Sequence, residues 1–334
     1  MHIGNRFNVI SYVLYMRHEL AYLFWISFIP AVIYYYFHWT FMVEFPMLVS
    51  TMLGSSTAFV IAFKNNWAMT RFTDAYNLYT EIASISNNLG LQLLTCNTHL
   101  ANNRLKTSQI KILNLHFAYL TALRYALRIE KIWENLHDAS NHDFMVRYYV
   151  ISERTIPIET ELAKYVSKSV INTFISSNKS PLYFLELQIG LIQDLLSQHI
   201  IDDRTSNIFI SLITQLNKSQ VNCLRIKNVP YPRNFYSITI YFTWLFILAL
   251  PFSLLSELHE SLSPWVIIPI VILIGGIFLC LEKVGHDLIN PFEGGVHDVP
   301  ITSISRHIEI ELKTMFDFEL IPEEIEGMSG YILL

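Results

Sequence analysis

Two stretches of this chain carry no lysine or arginine at all: residues 20–63 and residues 234–282. The first holds a single charge, Glu44. The second holds Glu257 and Glu260 in one short polar segment, and Glu282 at its end. A bilayer core needs roughly 20 apolar residues per crossing helix, so each stretch is too long for one crossing and suits two. The apolar runs are 21–41, 45–63, 236–255 and 264–281. Pro30, Pro251 and Pro269 lie inside them, which spanning helices tolerate because neighbouring helices re-satisfy the freed backbone groups. Four spans in two pairs are therefore predicted. Composition agrees: 15% of the residues are charged, against about a quarter in soluble domains.

Lysine and arginine elsewhere set the orientation. The short connections near 42–44 and 256–263 have none. The N-terminal segment has Arg6 and Arg17, the stretch 64–233 has 18, and the tail from 283 has Lys283, Arg306 and Lys313. Both termini and the middle stretch are expected in the cytosol. No short basic–apolar–small-residue pattern marks a cleavable leader. Net charge is −5 and spread along the chain, which gives no footprint for nucleic acid. Cys96, Cys223 and Cys280 form no C-x-x-C pair and read as reduced thiols.

Residues 64–233 read as helices broken near Pro157, Pro181 and Pro230. Apolar positions at helical spacing predict one helix over 104–139, through Ile112, Leu115, Tyr119, Leu123, Ile129, Ile132 and Trp133. Further helices are expected over 143–154, 158–176, 183–200 and 204–227. No proline or glycine interrupts 55–89, so the second span is expected to continue into the cytosol as one rod. No strand-rich region, repeat or low-complexity tract occurs. The fold class is all-α, and residues 1–334 form one unit. It divides into spans over 20–63 and 234–282, a cytosolic helical region over 64–233 and a cytosolic tail over 283–334.

Enzyme signatures are absent: no G-x-S-x-G, H-E-x-x-H or G-x-x-x-x-G-K occurs. No metal or cofactor site is expected. His137, Asp138 and His142 are near neighbours but read as a solvated helix end. The second span is the unusual one. It concentrates small hydroxyl residues over 50–58, and Ser55, Phe59 and Phe63 share one helical face. Two readings fit that face. Small residues let helices pack closely, or the face lines a pore whose phenylalanines form an apolar constriction.

The next residues decide between them by resemblance. The run Phe63-Lys64-Asn65-Asn66, followed by Arg71-Phe72 and Asp74, resembles the bacterial branch of the bestrophin family. Further motifs follow in order. They are Val229-Pro230-Tyr231-Pro232, Leu250-Pro251-Phe252, Gly275-Gly276 through Glu282-Lys283-Val284-Gly285, Asn290-Pro291-Phe292 and Asp298-Val299-Pro300-Ile301. The resemblance covers residues 5–315.

What the resemblance implies is a homopentameric ion channel in the bacterial inner membrane, with one axial pore. The second span would line an apolar neck at Ser55, Phe59 and Phe63. Ser55 departs from the large apolar residue usual in the family. A second constriction at the cytosolic exit would fall on Tyr231, where a β-branched aliphatic residue is usual. Asn65, Asn66 and Thr70 would continue the pore lining. Animal members bind calcium through an acidic run after Asn-Pro-Phe. Here that run is replaced by Glu293-Gly294-Gly295-Val296-His297-Asp298, with too few carboxylates for six to eight oxygen ligands. Glu293 and Asp298 are expected to cap the following helix or tie subunits together, and the tail from Phe292 to wrap a neighbour. Monovalent ions are the expected permeants, cations favoured on the family branch. An anion (chloride) channel, or a membrane-anchored scaffold without conduction, are the alternatives.

Overall fold

The structure, a computed structural model, describes residues 13, 15–37, 45–96, 103–258, 263–327 and 332–334, with the backbone alone for 103–105. Among the described residues, four helices are long and apolar enough to cross a membrane. They are α1 (Arg17–Phe37), the membrane part of α2 (Met47–Thr95), α10 (Arg233–Leu258) and α11 (Ile267–Leu288), the last preceded by a turn from Pro264. The expected end of the first span, with Glu44, lies outside the described residues, as do residues 259–262.

The predicted rod is present. Helix α2 runs 49 residues, about 73 Å at 1.5 Å per residue. Its upper half packs on α10 and α11, while α1 packs on α11. Leu23, Phe246, Ile247, Leu250, Leu255 and Val271 form the core of this bundle. Gly54 lets α2 and α10 approach closely, because a Cβ there would lie 2.9 Å from the Phe246 ring.

The lower half of α2 enters a second, larger core. This is built with α3 (Asn103–Arg128) and, after α4 (Ala139–Tyr148) and α5 (Ser152–Thr155), with α6 (Ile158–Leu162), α7 (Lys168–Ser176), α8 (Leu182–Ser197), α9 (Asp203–Asn228) and α12 (Ile301–Met315), while Phe144, Met145 and Tyr148 of α4 pack on a smaller cluster around Leu136, Tyr149 and Ile151. Tyr79, Ile82, Leu89, Leu113, Tyr119, Phe184 and Leu216 are wholly buried there. Helix α9 starts at a side-chain cap in which Asp202 accepts the Thr205 N–H at 3.1 Å. That satisfies one of the free donors of the first turn.

The stretches expected as single helices over 143–154 and 158–176 are each split in two, α4 and α5 and then α6 and α7, and one further helix is shorter than expected. The run predicted to reach Ala139 stops at Arg128, and Ile132 is 97% exposed. Polar anchoring wins over apolar spacing here. The Asn135 N–H donates to Glu293 at 2.8 Å, and Glu134 accepts from Lys227. Those contacts need Glu134 and Asn135 to leave the helix axis.

Candidate functional site

A helix advances about 100° per residue, so residues spaced three and four apart share a face. On α2 one such stripe runs Ser55, Phe59, Phe63, Asn66, Thr70, Asp74, Asn77 and Glu81, and every member is exposed. Phe59 is 65% and Phe63 60% accessible, although both are large and apolar. Their rings meet edge to face with centroids 4.5 Å apart. The Ser55 and Thr70 hydroxyls donate to their own helix, at Thr51 O (2.8 Å) and Asn66 O (2.9 Å). They are thereby turned along the backbone rather than outward.

The opposite face of α2 is fully engaged. Thr57 Oγ1 donates to the Phe242 carbonyl at 3.2 Å, and Ile61 is buried. Lys64 is 1% exposed and paired with Glu282 of α11. Arg71 donates to the carbonyls of Ile226 and Val229, the second at 2.5 Å. Of the four charged side chains in α2, the two cations thus point into the protomer. The two acids, Asp74 and Glu81, lie on the open stripe, where Glu81 accepts from Ser219 at 2.9 Å.

Two of the expected site residues, Asn65 and Tyr231, lie off this exposed stripe. Asn65 belongs to the engaged face, where its amide donates to the Leu281 carbonyl at 2.8 Å. It lies about 120° from Phe59 around the helix, which the one-residue step past Lys64 dictates. Tyr231 is 8% exposed, packed with Ala68 and Ile289 and edge-on to Trp67 at 5.0 Å. Its neighbour Val229 and the Trp67 ring are exposed, at 52% and 48%.

After Asn-Pro-Phe, the capping half of the expectation does not hold. Asp298 does not cap α12, whose N-cap Pro300 has no side-chain bond. Its carboxylate closes its own loop, accepting from Gly294 N (2.5 Å) and Gly295 N (2.9 Å), and faces Arg128 at 3.5 Å. Burial pushes Asp298 up to about 6, and Arg128 only partly offsets it. Burial and the Asp298 carboxylate hold Glu293 well above the usual carboxylate range. Burial alone would raise the nearby Glu153, but Arg124 and Arg128 hold it below that range. Beyond these residues, Leu334 packs with Leu136, Tyr149 and Ile151 of its own chain, and the Ser303 N–H donates to its carbonyl at 2.8 Å. Among the described residues, no three His, Cys, Asp or Glu side chains converge as metal ligands.

A helical rod shared by a bundle of apolar, membrane-length helices and a second helical bundle, with one face left open, defines a class of membrane protein. The chain belongs to the bestrophin family: the Bacterial/Fungal Bestrophin protein profile matches residues 11–314. Curated relatives include the voltage-dependent anion channel-forming protein YneE of Escherichia coli K12. It is 26% identical over 286 residues, covering 85% of this chain and 81% of the relative. The protein of that name from Salmonella typhi is 25% identical over 284 residues, covering 84% and 80%. Among solved structures, a bacterial bestrophin homologue from Klebsiella pneumoniae superposes with a TM-score of 0.74. It is 20% identical and covers 90% of this chain and 98% of that one. At that identity the likeness bears on the fold.

Proposed function

We propose that five copies of this chain surround an axis in the bacterial inner membrane and conduct small monovalent ions along it. The observation that carries this reading is the open stripe of α2. Large aromatic side chains on a rigid spanning helix stay exposed only if lipid, another subunit or a dewetted pore covers them. The back of α2 is occupied by α10 and α11, and the stripe runs unbroken from Ser55 in the membrane to Glu81 in the cytosol. Below the span the same stripe continues through the polar Asn66, Thr70 and Asp74, which suits the wall of a water-filled conduit. Phe59 and Phe63 then form the apolar neck, with Ser55 as a wider outer ring. The second narrowing lies at Trp67, held from behind by Tyr231, with Asn66 on its neck side and Thr70 one turn beyond it. Both termini are cytosolic by the charge asymmetry.

The stripe favours cations. Its charged members are Asp74 and Glu81, while Lys64 and Arg71 are turned away and bonded. Rings of carboxylates are the usual lining of cation-conducting pores. The names of the curated relatives favour the second reading, an anion channel. Planar-bilayer recording in a tenfold KCl gradient separates the two. A cation-selective pore reverses toward about 59 mV with the sign of the potassium gradient, and an anion-selective pore reverses with the opposite sign. Purified wild-type protein that carries no current supports a scaffold instead.

A further inference from the structure

Two sequence motifs that lie 218 residues apart meet directly beneath the neck. From Phe63-Lys64-Asn65-Asn66, Lys64 pairs with the Glu282 carboxylate and also donates to the Glu282 backbone carbonyl at 3.3 Å. Its ammonium lies 5.2 Å from the centre of the Tyr236 ring on α10. From Glu282-Lys283-Val284-Gly285, Gly285 leaves the space that Asn65 fills, and a Cβ there would collide with the Asn65 amide. Asn65 in turn donates to Leu281 O at 2.8 Å. Three spans are thus joined at one level by contacts that have direction.

We infer that the Lys64–Glu282 pair is the positioning element of the gate: it fixes the rotation of α2 and so holds the Phe63 ring on the axis. This rests on the channel reading given above. Phe63 precedes Lys64, and the backbone turns about 100° between them, so anchoring one sets the direction of the other. A lysine 1% exposed at the end of an apolar span is held there by its partner, because an unpaired buried ammonium is strongly disfavoured. Above this level α2 meets its neighbours through apolar contacts and the Thr57 hydroxyl. Arg71 repeats the arrangement two turns lower, on backbone carbonyls at the end of α9 and just beyond it. The brace nearest the neck is therefore Lys64–Glu282. Its removal frees α2 to rotate and lets the rings leave the axis.

Single-channel recording of Glu282→Gln tests this. Open probability at fixed voltage is expected to rise by about threefold or more, as for any two-state equilibrium whose closed form loses a contact. Unitary conductance and reversal potential stay at the wild-type values, because neither residue lies on the stripe. The charge swap Lys64→Glu with Glu282→Lys restores the wild-type open probability. Should Glu282→Gln fail to assemble, Glu282→Asp keeps the charge, shortens its reach and shifts open probability in the same direction. An unchanged or lowered open probability overturns the inference, and so does an effect confined to conductance or selectivity. A second readout is independent of current. Phe63→Cys, with Cys96, Cys223 and Cys280 replaced by alanine, is oxidised to inter-subunit disulfides whose yield falls when Glu282→Gln is added. Wild-type protein without current contradicts the channel reading alone. The disulfide yield then decides the brace, and an undiminished yield overturns it.

Discussion

Phe59 and Phe63 stack edge to face, 4.5 Å apart, on a side of α2 that no other described part of the protomer covers. One turn of helix separates them, so in a symmetric assembly they form two apolar rings about 6 Å apart along the axis. Truncating either ring shortens the dry segment that an ion must cross. Phe63→Ala, and Phe59→Ala to a similar degree, are expected to raise ion flux into liposomes by roughly tenfold, equivalent to about 1.4 kcal/mol of barrier. Ser55→Ala is expected to leave flux near wild type, because the Ser55 hydroxyl is already bonded to Thr51 O.

Selectivity is expected to follow the acids of the stripe. Asp74→Asn together with Glu81→Gln removes both carboxylates and leaves Lys64 and Arg71 where they are. Reversal potentials in a KCl gradient should then shift toward zero by about 10–30 mV. The neck contacts are untouched, so open probability should not change. A reversal potential that stays fixed assigns selectivity to another part of the conduit.

The buried loop of Glu293 and Asp298 gives the fold a pH dependence. Both carboxyls hold their protons more tightly folded than unfolded: Asp298 moves from 3.8 to about 6, and Glu293 moves in the same direction. Where the native state binds more protons, stability falls as pH rises. Asp298 therefore contributes most below about pH 4 and loses that contribution as pH rises through about 6, and Glu293 acts in the same sense. Thermal unfolding in detergent is expected to show a falling Tm between pH 5 and about 7. Asp298→Asn should flatten that slope by removing one titrating group and relieving Glu293. Glu153, held low by Arg124 and Arg128, works in the opposite sense and loses its contribution only under strongly acid conditions.

Gly285 faces Asn65 so closely that any side chain must displace it. Gly285→Ala is expected to destabilise the protein by roughly 1–3 kcal/mol, the usual range for overpacking a well-filled contact. The readout is a lowered Tm. Gly276, about two and a half turns earlier on α11, has open space where its Cβ would be, and Gly276→Ala should leave Tm unchanged.

Much of this was legible in the residues themselves. Four spans follow from the two stretches without lysine or arginine, and the α2 rod follows from the uninterrupted run after Gly54. Phe59 and Phe63 follow from their four-residue spacing. The same spacing reaches Asn66, Thr70, Asp74 and Glu81 and passes over Asn65, so periodicity alone places Asn65 off the stripe. Lys64 also left a signal. It is the charge that closes the first stretch, as Glu282 closes the second, and two charges at matching membrane depths are partners in waiting. The burial of Tyr231 was not legible, because it depends on Trp67 and Ile289 arriving from other helices. Nor was the early end of α3, which is set by Glu293 and Lys227, far away in sequence.

The central claim is that the open stripe of α2 faces the ion path. The most direct measurement is the current through Phe63→Cys protein in a planar bilayer before and after a small charged thiol reagent. The account expects the current to fall by about tenfold or more as a charged group is added to the neck. It also expects Cys at Ile61, buried on the opposite face, to be unaffected. A conducting Phe63→Cys protein whose current the reagent leaves unchanged would contradict it.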